Sequence, residues 1–167
     1  MGTSKCGRYL NTIGSGRSVS DFALVHSSEG KFKWRNIRID GKPAKKIRLA
    51  SGGHSQKGMD LLDKYHIEYH IVKTYPNGVR IGYIPDHGQS MKRQGTGQAW
   101  FPKSWNSKDI RRAGEHVAGL KFNKHSRDGV TIYGVYKGVR VGVIKTNGKI
   151  ATVFPDSNQT SVIRRKR

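Results

Sequence analysis

Acidic side chains are scarce in this sequence. Eleven Asp and Glu stand against 32 Lys and Arg among 167 residues, a formal charge of +21. Self-repulsion at that charge opposes compaction, while long-range attraction favours polyanions. The basic residues run from Lys5 to Arg167 rather than gathering in a tail. Nucleic acid, or a strongly acidic protein, is therefore the leading partner. Cysteine is nearly absent. With Cys6 alone, an intramolecular disulfide framework and a cysteine-based zinc site are excluded. Apolar residues make up only 34%, and no window approaches the ~18 consecutive apolar residues of a membrane span. No stretch has the apolar core of a signal peptide, so a secreted fate requires another export route or an upstream segment.

What is present reads as one α+β domain with helices early and a β-rich end. Residues 1–30 are rich in Gly and Ser and read as a loosely ordered lead-in. Ile37 and Ile39, the turn Asp40-Gly41, then Ile47 and Leu49 predict a hairpin. Met59, Leu61 and Leu62 place a short helix over 56–66. A second hairpin follows, with Ile67, Tyr69 and Ile71 on one arm and Val79, Ile81 and Tyr83 on the other. Residues 85–103 read as a long loop, a feature usually functional in a small domain. Asn106 or Ser107 caps a helix to about Leu120, with Ile110, Ala113, Val117 and Leu120 on one face. Lys137-Gly138 and Asn147-Gly148 then join three strands into a meander. The terminal VIRRKR reads as a solvated basic tail.

Seven histidines are the candidate chemistry: His26, His54, His66, His70, His87, His116 and His125. His66 and His70 have metal-ligand spacing but straddle a helix-to-strand change and lack a third ligand, so no metal site is expected. His116 and His125 read as solvated or core-edge residues. His54 follows Ser51-Gly52-Gly53, and His87 stands between Asp86 and Gly88. Glycine beside a histidine lets backbone approach a ligand closely.

Two histidines suit RNA cleavage by internal transesterification. A base takes the 2′-OH proton and an acid protonates the leaving 5′-oxygen. Imidazole does both near neutral pH. A fixed lysine stabilises the charge that develops on the phosphorane.

Four blocks resemble the bacterial EndoU endoribonuclease toxins, which include C-terminal toxin domains of polymorphic and contact-dependent growth inhibition systems: SGGHSQKG (51–58), RIGYIPDH (80–87), GQAWFPKSWNSKDI (97–110) and KTNGKIATVFPD (145–156). The resemblance spans about 48–157. It leaves 1–47 as a basic lead-in of no recognisable kind and 158–167 as a basic tail. It implies an α+β fold with an antiparallel split-sheet core of the EndoU and RNase A-like type, short helices packed on it, and no cofactor. Carried over residue by residue, it implies His54 and His87 as the catalytic pair, Lys103 as the phosphorane-stabilising lysine, Thr152 as a phosphate or ribose ligand, and Ser107 and Phe154 at the base. Which histidine is base and which is acid stays open. Three departures stand out. Gly-His-Ser-Gln-Lys-Gly replaces the usual run of apolar residues after the first histidine. His54 and His87 are farther apart than the family's usual gap. Phe154 lacks the hydroxyl of the family's tyrosine.

The implied activity is cleavage of RNA, tRNA among the candidates, to a 2′,3′-cyclic phosphate and a 5′-OH without metal. The implied setting is a secreted or delivered toxin, cut from a longer polypeptide, acting in the target-cell cytoplasm and held by an acidic cognate immunity protein. Composition alone equally suits a non-catalytic RNA-binding module or a basic scaffold protein. A metal-dependent DNase toxin is the other rival, and few carboxylates are present to build its metal site.

Overall fold

A computed structural model of the chain describes residues 17–165. Residues 1–16 of the N-terminal lead-in and the last two residues of the basic tail lie outside them. The helices are α1 (Asp21–Ser28), α2 (Gln56–Lys64), α3 (Ser107–Gly119) and α4 (Thr160–Arg165). The strands are β1 (Lys31–Ile39), β2 (Lys42–Ser51), β3 (His70–Thr74), β4 (Arg80–Tyr83), β5 (Gln98–Trp100), β6 (Thr131–Tyr136), β7 (Val139–Thr146) and β8 (Lys149–Pro155). They form three antiparallel sheets among the described residues: β1-β2, β3-β4-β5 and β6-β7-β8. The fold is α+β, with antiparallel sheets split into separate units and short helices packed on them.

Turn chemistry sets the hairpins. Asp40-Gly41, Lys137-Gly138 and Asn147-Gly148 all hold positive φ at both residues, between 48° and 77°. That is the backbone of the tight two-residue turn whose twist matches the flanking strands. The third sheet therefore forms the predicted meander.

Strand alternation at β5 ties the molecule together. Ala99 and Phe101 point into a core built from α1, α3 and the meander, with Val79, Ile81, Ile110, Val117, Val141 and Val153. Trp100, on the opposite face, enters a second core with Leu49, Met59, Leu62 and Ile84. Phe101 stacks on Trp105 at 4.9 Å. The aromatic cluster of the 97–110 block is thus packing, and it fixes where β5 and the start of α3 sit. Asn106 caps α3, with Asp109 completing a reciprocal capping box.

Three segments differ from the sequence reading. Residues 21–28, expected to be loosely ordered, form α1, capped by Ser20, which accepts a bond from the Ala23 N–H. Residues 85–103 are not one loop. They contain a 3-10 turn over Ser90–Lys92 and then β5, which pairs with β4 because its side chains have two cores to fill. The tail forms α4, since Val162 is buried and Ile163 packs on the main core.

α1 is docked by a polar contact. Ser27 is fully buried, and its hydroxyl accepts from the Val153 N–H of β8 at 2.9 Å. Replacing Ser27 by Ala leaves that amide buried and unpaired, at a cost of about 1–3 kcal/mol. Urea unfolding of Ser27→Ala should show a loss in that range with an unchanged slope; an unchanged midpoint would remove this contact from the docking of α1.

Candidate active site

The site begins with a backbone splice. Where α1 ends, three successive amides from beyond the β1-β2 hairpin bond to its carbonyls: Gly53 N–H to His26 O (3.1 Å), His54 N–H to Ser27 O (2.6 Å) and Ser55 N–H to Ser28 O (3.2 Å). Gly52 makes this approach possible. Its φ is +71°, and a Cβ there would lie 2.0 Å from the His26 carbonyl oxygen. On the other side the His54 carbonyl accepts from Phe101 N–H at 2.7 Å. His54 is thus clamped between the end of α1 and the end of β5.

This clamp sets His26 and His54 on the wall of one cavity of about 520 Å³. Lys92, from the 3-10 turn, joins them, with Thr152 and Phe154 of β8 and Tyr133 of β6. Tyr133, Gly142 and Phe154 are in register across the meander. A Cβ at Gly142 would meet the Phe154 ring at 2.6 Å, so glycine lets the two aromatics close over β7. The Phe154 ring stands 6.0 Å from the His54 imidazole.

The electrostatics are those of two uncharged imidazoles beside a cation. His54 is nearly inaccessible to solvent, and burial, then the Lys92 charge, lower its pKa to about 3. Burial and Lys92 lower His26 as well. Burial alone brings Lys92 down to about 8. It still carries its proton at neutral pH, though more labile than a surface lysine's. His54 Nδ1 lies 2.8 Å from the Ala99 carbonyl. A carbonyl only accepts, so Nδ1 bears the hydrogen and Nε2 keeps its lone pair. Among the described residues, no three His, Cys, Asp or Glu side chains converge as a metal centre.

Of the residues singled out in the sequence, His54, Thr152 and Phe154 meet at this cavity. His87 does not line it. Its ring is wholly buried, Nδ1 accepts from Gln89 N–H at 2.8 Å, and burial with Lys92 nearby lowers its pKa to about 4. Lys103 is exposed in the turn after Pro102 and is absent from the cavity wall. Ser107 opens α3 and borders a separate cleft with Ser55, Gln56 and Trp105. His26, one of seven histidines in the sequence but given no role there, and Lys92 also line the cavity. The Ser20-Asp21 cap signal for α1 was the one local pointer to the first.

The buried histidines make the fold acid-sensitive. Their folded pKa values lie below the free value of 6.5. Between those values the unfolded chain binds protons that the native state refuses. Stability is therefore full above pH 6.5 and falls with pH below it, on the order of 1 kcal/mol per pH unit for each histidine. Urea unfolding from pH 7 to pH 4.5 should show this decline, and His87→Gln should flatten it by about one proton. A pH-independent midpoint would contradict the burial of neutral imidazoles.

No curated protein and no solved structure matches the chain. A family model does, over residues 26–157, and its first matched residue is His26 of the cavity. With a match over most of its length, the chain belongs to the bacterial EndoU nuclease family.

Proposed function

We propose that this nuclease cuts RNA without a metal, using His26, His54 and Lys92 on one phosphodiester. The observation behind this reading is that two imidazoles and one ammonium, from α1, the 51–55 loop and the 3-10 turn, line a single cavity. His54 Nε2, whose lone pair is kept available by the Nδ1–H bond to Ala99, takes the proton of the 2′-OH. The 2′-oxygen attacks phosphorus. His26 is partly solvent-accessible and, charged to imidazolium by the neighbouring phosphate, protonates the departing 5′-oxygen. The products are a 2′,3′-cyclic phosphate and a 5′-OH, and exchange with water restores both rings. Lys92 faces the non-bridging oxygens and stabilises the charge they gain. Thr152 holds phosphate or ribose, and Phe154 packs on the base or sugar.

These roles move the second histidine from His87 to His26 and the lysine from Lys103 to Lys92. A phosphate entering the cavity also changes its proton affinity. An anion next to an imidazole favours the charged form, so RNA would raise the depressed values toward neutrality, where acid–base exchange is efficient.

RNA in a competitor cell, tRNA among the candidates, is the proposed substrate of a delivered toxin, with an acidic immunity protein covering the cavity. The net charge of +21 supports both partners, since each is a polyanion or carries an acidic face.

Cleavage of total tRNA and rRNA in EDTA, with end-group analysis, tests the reading. His26→Ala and His54→Ala should each lose about 10²–10⁴-fold, Lys92→Ala about 10²–10³-fold, and Lys103→Ala little, all with wild-type circular dichroism. Activity abolished by EDTA, 3′-phosphates formed without a cyclic intermediate, or full activity in either histidine variant would overturn it.

A further inference from the structure

Beside the cavity runs a shallower groove of about 400 Å³, and His26, Ser51 and Thr152 wall both. Phe22, Lys31 and Lys149 also line it. Phe22 is the second residue of α1, whose buried side is Ala23, Ser27 and Ser28. Its ring therefore turns away from the core and is 86% exposed. No Asp or Glu lines the groove. The nearest carboxylate in sequence, Asp21, is held by Arg111. Lys31 lies close enough to His26 to lower its pKa. Neither Lys31 nor Lys149 forms an ion pair among those of the described residues.

An exposed aromatic ring sharing a groove with two ammonium groups outside any ion pair is the composition of a single-stranded nucleic acid platform. The ring stacks a base, whichever base it is, and the cations meet the phosphates on either side. The groove and the cavity share His26, Ser51 and Thr152 as wall residues, so the two lie side by side, within reach of one strand. We infer that Phe22, Lys31 and Lys149 form a second nucleotide subsite, which stacks a base flanking the cleaved linkage. The inference rests on the ribonuclease reading and adds to it a requirement for an oligonucleotide rather than an isolated linkage. Phe22 also precedes the residues matched by the family model, so the stacking ring comes from outside that match while Lys31 and Lys149 lie within it.

The test is a cycle of enzyme and substrate variants with the full chain. The substrates are an octaribonucleotide cut at one linkage and four derivatives, each abasic at one of the four positions nearest that linkage. Phe22→Ala should lower kcat/KM on the complete octamer by about 5- to 150-fold. On one abasic derivative the same change should cost less than about 2-fold, because the partner of the ring is already gone. Phe22→Trp should restore wild-type rates on the complete octamer. Equal losses on all five substrates, or no loss on the complete one, would overturn the subsite while leaving the ribonuclease reading in place. Failure of the wild-type protein to cut any of the five would overturn both.

Discussion

Three hydrogen bonds between the last turn of α1 and residues 53–55 hold this site together. They are backbone bonds, so they fix position independently of side-chain rotamers. They require Gly52, because any Cβ there would collide with the His26 carbonyl. They also set a register in which the chain that leaves His26 returns, after the β1-β2 hairpin, to place His54 beside it. Ser27, between those contacts, anchors the same helix turn to β8, the strand that brings Thr152 and Phe154. One short helix is thus the hub to which the loop and the meander are both fastened.

The electrostatic design follows from that geometry. The clamp buries His54 almost completely, and burial beside Lys92 keeps the ring neutral. A neutral imidazole with Nδ1 engaged presents its lone pair at Nε2. The same surroundings strongly disfavour a second positive charge until an anion arrives. The rest of the surface, at +21 overall, draws such an anion in. The β1-β2 hairpin shows how far the chain carries this: Lys33 faces Arg48 and Arg35 faces Lys46 across the strands. Like charges directly opposite destabilise a sheet. Asp86 offsets part of that repulsion through Arg35 and Lys46.

Local chemistry was legible in the sequence where it was decisive locally. Asp40-Gly41, Lys137-Gly138 and Asn147-Gly148 dictate their turns, and the meander follows from them. Ser51-Gly52-Gly53-His54 marked a close backbone approach, and its object proved to be another piece of backbone. Thr152 and Phe154 were implied by the EndoU resemblance, and both line the cavity. His26 was listed but given no role, because α1 is eight residues long and its buried residues, Ala23, Ser27 and Ser28, are small and partly polar. No apolar stripe announces such a helix. Lys92 escaped because its place on the wall depends on how the segment leading into the 3-10 turn is tied to β2, where Gly88 N–H bonds to Leu49 O. Lys103 drew notice from a rigid-looking motif, but Phe101 and Trp105 use that rigidity for packing and leave the lysine in solvent. His87 drew notice as a histidine beside glycine, and Gly88 serves that same contact with β2.

The central claim is that His26 and His54 address one phosphate. Titration of both imidazoles by NMR, with and without a non-cleavable oligonucleotide carrying a 2′-deoxy residue at the cleaved linkage, measures this directly. On binding, the pKa values of His26 and His54 should rise together, and Lys92→Gln should raise both in the free protein. A rise confined to one ring, or to His87, would show that the two side chains do not share a phosphate and would contradict the account.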